Sequence, residues 1–437
     1  MEKATTFNKD IIAKINRVLK FVLENTYSDF YRKKYEGLEI KEIGSYDDFL
    51  KIPLLKKDEF LAIPVEKRTF VAADEIKYFS SSSGTTNNKI PAIVPHCSFG
   101  YENMDFNESK ISSMGVRRVL AIHSPLSPAF IKHLTMPRKN IVIVPGDANN
   151  LPMTAKLARE LQIEAIITTP TKLYFFIKHL ADTGFKTKNI KWIHLGAEFC
   201  SAQKLQYFKS IFPESLIDFG FSTSETGGSR GYRCEHLARD ERPYVFHPAR
   251  NKMAEVAGTE GNILGFGESG ELIHTDLEVK AFPLIRYKTN DIGSISDLRC
   301  ACGEKFLLTL GGRMNFDVLK FSGVTLYAEL IANATDTAKE YVDPQFQMHV
   351  FEEPSAGKIK PKLQLHLKLK NNFRNRSDLD RLKKELEDMI SSGLQLGAYR
   401  TLKQLADQDI FYPLEIIFVD AWPENSEKTK NIISHLN

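Results

Sequence analysis

From about Tyr78 onward the sequence alternates short β-rich runs with helical ones, and this alternation narrows the possible folds more than any other feature. RRVLAIHS, NIVIVPG, IEAIITT, IKWIHLGA and LIDFGF are nearly continuous apolar runs of strand length. LPMTAKLARELQ and PTKLYFFIKHLADTG stand among them with apolar residues at helical spacing. Strands that are apolar on both faces are covered on both faces, and helices between them supply the cover. The fold class is therefore α/β with a largely parallel sheet. Ahead of this region, about Asp10 to Phe60 reads as helical: IIAKINRVLKFVLENT is amphipathic, and SYDDFLKIPLLKKDEF opens on a Ser-x-x-Asp start signal.

After about Gly312 the texture changes. A helix candidate, YAELIANATDTA, leads to two alternating strands, FQMHVFEE and LQLHLKLK, with EEPSAGKIKPK read as the loop between them. A charged helix, DLDRLKKELEDMISSGL, and a last strand, LEIIFV, complete a small α+β domain. We expect a large N-terminal domain of mixed or parallel sheets and helices over 1–312 and a small C-terminal α+β domain over 313–437.

At 437 residues the chain is longer than one compact domain usually is. Its net charge of +4 is small for that length, which argues against nucleic acid or a membrane surface as a partner. MEKATTFNKDIIAKINRVL lacks the apolar core of a signal peptide, and no run of about 18 apolar residues is present, so the expected location is the cytoplasm. The five cysteines are unevenly placed, which does not suit a secreted disulfide framework.

The strongest local signal is Ser80-Ser81-Ser82-Ser83-Gly84-Thr85-Thr86-Asn87-Asn88-Lys89, after the apolar IKYF. Small residues let backbone N–H groups approach a phosphate, hydroxyls add donors, and a lysine beyond the turn can offset charge. The spacing is not that of a Walker A loop, and alone the stretch reads equally as a serine-rich surface loop. It has company, in order: Asp218-Phe-Gly-Phe-Ser-Thr-Ser-Glu225-Thr-Gly-Gly, Gly270-Glu-Leu-Ile-His-Thr, Pro283-Leu-Ile-Arg-Tyr-Lys-Thr-Asn-Asp291, Gly312-Arg313, and finally Trp422-Pro-Glu-Asn-Ser-Glu-Lys428.

This ordered set resembles the adenylate-forming enzymes, and within them the phenylacetate–coenzyme A ligase branch. The resemblance covers nearly the whole chain, including the opening FYRKKYEGLEIKEIGSYDDFLKIPLLKKDEF. It implies ATP-dependent activation of a carboxylic acid to an acyl-adenylate, then transfer to a thiol, that of coenzyme A. By the same resemblance Ser82, Ser83, Gly84, Thr85 and Thr86 would hold the β- and γ-phosphates, with Lys89 beyond them. The turn Gly196-Ala197-Glu198 would meet adenine. In Phe221-Ser222-Thr223-Ser224-Glu225, Phe221 would stack on adenine, Ser224 would approach the α-phosphate and Glu225 would bind Mg²⁺. Asp291 would accept from the ribose hydroxyls, Arg313 would open a hinge and reach the ribose or phosphate, and Lys428 would be the mobile lysine of the small domain. Such lysines and cations supply positive charge where a carboxylate meets a phosphate.

The motifs depart from the family pattern at several places. Asn87-Asn88, Ser222 and Asn290 stand where glycine or another residue is usual, and Arg313-Met-Asn-Phe-Asp317 is one residue longer than the usual hinge. Either Asn315 or Asp317 could take the hinge aspartate's place. Asn290 and Asn315 suit turns because asparagine tolerates left-handed backbone.

Cys234-Glu-His236 and Cys300-Ala-Cys302-Gly supply four residues of the kind that hold a structural Zn²⁺ ion, with His247 as an alternative to His236. A Cys-x-Cys-Gly in this place also occurs in relatives of the phenylacetate branch. Two other functions stay open: an adenylating enzyme that loads a carrier protein or an amine, and a degenerate protein that binds nucleotide or acyl-adenylate without turnover. An acyl pocket is expected from the stretches near His96–Tyr101, Gly196–Phe199 and Phe219–Thr223. Dimers are common in the resembled branch, and a homodimer is the expectation by analogy.

Overall fold

Four N-terminal helices open the chain: α1 (Lys9–Leu23), α2 (Phe30–Lys34), α3 (Tyr46–Leu50) and α4 (Lys57–Leu61). Their starts follow from local chemistry, since Asn8 accepts from the Asp10 amide and Ser45 from the Asp48 amide. The computed structural model describes residues 3–40, 42–81, 93–97, 111, 113–123, 140–223, 225–226, 228–239, 242, 244–313, 317–321, 324–355, 358–374, 376–396, 400–422 and 430–436. The helices bury Phe30, Tyr31, Phe49, Phe60 and Phe70 together with Phe282, Leu284 and Tyr287.

The antiparallel pair β1 (Tyr78–Ser81) and β2 (Ile93–His96) comes next. The alternating region then supplies β3 (Arg118–His123), β4 (Val142–Asp147), α5 (Leu151–Glu160), β5 (Ala165–Thr168), α6 (Pro170–Asp182), β6 (Trp192–Gly196), α7 (Ala202–Ile211) and β7 (Leu216–Thr223). β3 to β7 are mutually parallel in the order β7-β6-β5-β3-β4. β5 is buried at every position, which is why its sequence shows no polar alternation. Thr169 and Ser201 cap α6 and α7, so the turn chemistry that stops each strand also starts the following helix.

Beyond β7 the same sheet continues antiparallel through β8 (Gly228–Tyr232) and β9 (Val245–Pro248), with the short helix α8 (Glu235–Arg239) between them. β10 (Lys252–Ala257), β11 (Gly270–Asp276), β12 (Tyr287–Ser296) and β13 (Leu307–Arg313) complete an eleven-stranded mixed sheet, ordered β10-β11-β12-β13-β9-β8-β7-β6-β5-β3-β4.

The C-terminal residues form the hairpin β14 (Val318–Phe321) and β15 (Val324–Tyr327), α9 (Ala328–Asp336), β16 (Val342–Ser355), β17 (Lys358–Leu369), α10 (Leu379–Gly393), α11 (Leu402–Asp407), β18 (Glu415–Phe418) and β19 (Ile432–Ser434). Their four-stranded sheet runs β18-β17-β16-β19. EEPSAGKIKPK is not a loop along its length: Glu352 to Ser355 pair with Lys358 to Pro361, and strand pairing carries the hairpin almost to its tip. Nor is LEIIFV the last strand, because β19 adds parallel to β16. β19 is three residues long, too short to show a period in sequence.

By contacts the chain divides into two units. One holds Met1–Lys172, Phe176–Ala197 and Glu214–Gly311; the other holds Leu173–Phe175, Glu198–Pro213 and Gly312–Asn437. α7 therefore belongs with the C-terminal residues, and its Lys204 ammonium donates to Gln345 at 2.5 Å inside that unit. Among the described residues no helix is long and apolar enough to cross a membrane.

Candidate active site

Of the residues expected to meet a nucleotide, Gly196 ends β6 and Phe221 to Thr223 end β7, at the carboxyl sides of parallel strands, the usual place for ligands in open α/β sheets. β6 ends at Gly196, and the next residue, Ala197, holds φ at +71°, a left-handed backbone that a non-glycine residue adopts only under local constraint. Glu198 follows, half-buried. On β7, Gly220 lies where a Cβ would come within 2.5 Å of His194 Nε2, so glycine here leaves room for the imidazole of His194 on β6. The pairing of β7 with β8 shifts register between Phe221 and Ser222, so the serine that replaces glycine sits on a β-bulge with its side chain exposed. Thr223 and Thr226 then close a turn through their hydroxyls at 3.2 Å, with the buried Glu225 inside it.

Phe221 is buried, with the Arg230 guanidinium 4.5 Å over its ring and Phe246 at 5.6 Å. Arg230 also donates from Nη1 to Asp291 Oδ2. One buried arginine thus joins two residues drawn from separate motifs, and its role was not read from the sequence. Asn290 holds φ at +60°, so the asparagine takes the left-handed backbone that glycine would. Its amide donates to Glu271 at 3.0 Å, and the turn delivers Asp291 to Arg230.

A second buried charge group lies at Glu225 and Thr226. Lys57 Nζ donates to Glu225 Oε1 at 2.6 Å. The Thr226 carbonyl accepts from Lys280 at 3.0 Å and Lys252 at 3.4 Å, and both lysines pair with Asp276. Burial pushes the Lys252 ammonium down to about 7 despite Asp276, and pushes the imidazole of His274, 3.2 Å from Asp276, down to about 3. Asp276 itself is held well below the usual carboxylate range by its lysines, against the opposing effect of burial.

Ser82, Ser83, Gly84, Thr85, Thr86, Lys89, Ser224 and Lys428 lie outside the described residues, as do Asn87, Asn88 and Asn315. Arg313 ends β13, and its side chain also falls outside what is described. Close by, Gly312 holds φ at +125°, and a Cβ there would stand 2.8 Å from Asp317 Cβ. Asp317 is buried and accepts from Asn431 Nδ2 at 2.8 Å, so it is built into the C-terminal unit.

The cysteine cluster comes together as Cys234, His247, Cys300 and Cys302, with their ligand atoms all within 4.8 Å of one another. His236 is not part of it: it lies exposed on α8, while His247 on β9 faces the thiols. Cys234 and Cys300 sulfurs are 3.7 Å apart, and His247 Nε2 lies 3.4 Å from Cys234 and 3.3 Å from Cys302. A tetrahedral zinc with bonds of about 2.3 Å to sulfur and 2.0 Å to nitrogen has edges of roughly 3.5–3.8 Å, so the spacing fits. His247 Nδ1 lies 3.1 Å from the Phe306 carbonyl, the second contact that leaves Nε2 for a metal.

No protein-family model matches the chain. The chain is similar to the phenylacetate–coenzyme A ligase of Pseudomonas putida, at 21% identity over 412 residues covering 88% of this chain and 90% of that one. It is likewise similar to the Escherichia coli strain K12 protein of the same name, at 23% over 369 residues, 79% of this chain and 80% of that one. Among solved structures, a 2-hydroxyisobutyryl-CoA ligase in its postadenylation state, in complex with 2-HIB-AMP, superposes with a TM-score of 0.72 at 16% identity. That superposition covers 98% of this chain and 89% of the other. The chain thus shares the fold of that CoA ligase over nearly its whole length. In sequence it is similar to phenylacetate–coenzyme A ligases, the branch that the ordered motifs resemble.

Proposed function

We propose that this protein activates a carboxylic acid with ATP and passes the acyl group to the thiol of coenzyme A. The observation that carries the reading is Arg230, which holds the Phe221 ring and the Asp291 carboxylate together beside the turn bearing Glu225. These are the motif residues assigned to adenine, ribose and cation. In the first step a carboxylate oxygen attacks the α-phosphorus, the α–β phosphoanhydride bond breaks and pyrophosphate leaves. In the second, the thiol sulfur attacks the acyl carbonyl, its proton is lost and AMP departs.

The repulsion between two anions is the first step's main obstacle, so the chain's cations matter most. Lys428 would supply charge at the α-phosphate from the C-terminal residues. Glu225 suits Mg²⁺, which binds through one or two carboxylates and the substrate's own phosphates, and such an ion would offset charge on the leaving group. Residues 313–437 would move about a hinge at Gly312 and Arg313 to exchange one half-reaction for the other. Cys234, His247, Cys300 and Cys302 would hold a structural zinc away from this chemistry. A homodimer in the cytoplasm is the expected setting.

The test is product formation with a panel of aryl, short-chain and long-chain acids, with ATP and Mg²⁺, in the presence and absence of coenzyme A. The reading expects AMP release and a thioester that require both the acid and coenzyme A. Acid-dependent AMP release that ignores coenzyme A but responds to amines or a carrier protein would contradict the acceptor. Absence of AMP release with every acid, from folded protein that binds ATP, would contradict catalysis.

A further inference from the structure

Lys57 is held in place by a route no motif reveals. Just before it, Leu55 adds to the edge of β12: its amide donates to the Arg286 carbonyl and its carbonyl accepts from the Lys288 amide, both at 2.9 Å. Just after it, Phe60 is buried with ring centroids 5.4 Å from Phe282 and 5.8 Å from Tyr287. The first residue of α4 is thus fixed against the strand that carries Asp291. From there Lys57 reaches Glu225, 168 positions away in sequence, and pairs with it at 2.6 Å. The Glu225 side chain is 3% exposed and that of Lys57 18%. Two other ammonium groups among the described residues, those of Lys252 and Lys280, bind the Thr226 carbonyl at this turn and are each shared with Asp276. Lys57 differs from them in spending its charge on the carboxylate itself.

We propose that Lys57 is the resident counter-ion of Glu225, which keeps the place of the divalent cation in the cation-free protein and competes with it. The inference rests on the reading of Glu225 as a cation ligand. A buried carboxylate needs a counter-charge, and Lys57 provides it before substrate arrives. A divalent cation on the same carboxylate stands within a few ångströms of the ammonium, and like charges at that range in a poorly solvated site repel strongly. The ammonium therefore has to leave when the cation enters, and a polyphosphate arriving with the cation is the anion that can take it. Lys57 in this way makes cation binding weak without nucleotide and strong with it. It is a positioning residue acting through Glu225.

The experiment is Mn²⁺ titration of the full-length protein by electron paramagnetic resonance, with and without a non-hydrolysable ATP analogue. Removing one charge beside a carboxylate shifts its preference for a cation by about tenfold or more. Lys57→Gln is thus expected to tighten Mn²⁺ binding to the nucleotide-free protein by about that factor, while Lys57→Arg stays at the wild-type value. Lys57→Arg keeps the charge and the fold, so it also serves if Lys57→Gln is unstable: it should preserve the strengthening of Mn²⁺ binding by the ATP analogue seen in wild type. Unchanged Mn²⁺ affinity in folded Lys57→Gln, or equal Mn²⁺ affinity with and without the analogue in wild type, overturns the proposal. Glu225→Gln separates the two layers. If it leaves Mn²⁺ binding intact, the cation reading of Glu225 falls; if it abolishes binding while Lys57→Gln changes nothing, only the role of Lys57 falls.

Discussion

Arg230 and Asp291 form a pair whose side chains are 3% and 7% exposed, and the Phe221 ring lies under the same guanidinium. Arg230→Ala would leave Asp291 buried without its arginine, a change that costs about 3–5 kcal/mol. We expect Arg230→Ala to lower the melting temperature and raise KM for ATP. Arg230→Lys should recover part of the stability but less of the KM, because an ammonium lacks the planar face that covers Phe221. Thermal melts and ATP-dependent kinetics on both variants check this. His274 gives a prediction in pH. Its folded pKa of about 3 lies below the ordinary 6.5, so between those values the unfolded chain binds the additional proton. Stability contributed by neutral His274 is therefore intact above about pH 6.5 and lost as pH falls toward 3. Melting temperatures measured from pH 7 to 5 should fall, and His274→Gln should make the fall shallower. Individual residues were legible where local chemistry decides them: Asn290 takes left-handed backbone because asparagine can. Arg230 and Lys57 were not legible, since their partners stand 61 and 168 positions away and no local period marks them.

The parallel strands were readable as elements because burial on both faces writes itself as an unbroken apolar run, as in β5. Turn chemistry marked α3 in the same way, through Ser45 and Asp48. What the sequence concealed was pairing. The β16–β17 hairpin pairs Glu352 to Ser355 with Lys358 to Pro361, a polar, proline-containing stretch whose composition reads as a loop. The cysteine cluster shows the same division. Cys234, Cys300 and Cys302 were visible by spacing, but the fourth ligand depends on which histidine faces them. His236 sits on the exposed side of a short helix and His247 on an interior strand. We expect about one zinc per chain by elemental analysis, the count that four such ligands satisfy. Cys302→Ser or chelation should lower the melting temperature by roughly 5 °C while leaving KM for the acid unchanged. A zinc-free native protein with the same melting temperature would contradict the site.

Across the molecule, the alternating region and the later α+β region were both apparent in the sequence, but the membership of α7 was not. Its residues are an ordinary β–α–β connection in sequence, and only three-dimensional contacts place Glu198–Pro213 with the C-terminal residues. Asp317, bonded to Asn431, belongs to the same unit. The account then expects Lys428→Ala to reduce adenylation by at least about a hundredfold, the scale on which single transition-state charge contacts act. Transfer from supplied acyl-adenylate to coenzyme A should be little changed. The most direct test of the central claim is carboxylate-dependent exchange of labelled pyrophosphate into ATP. The account predicts exchange that needs an acid of one class and a divalent cation, and that disappears in Glu225→Gln and Lys428→Ala. Absence of exchange with every acid, or exchange that both variants retain, would contradict it.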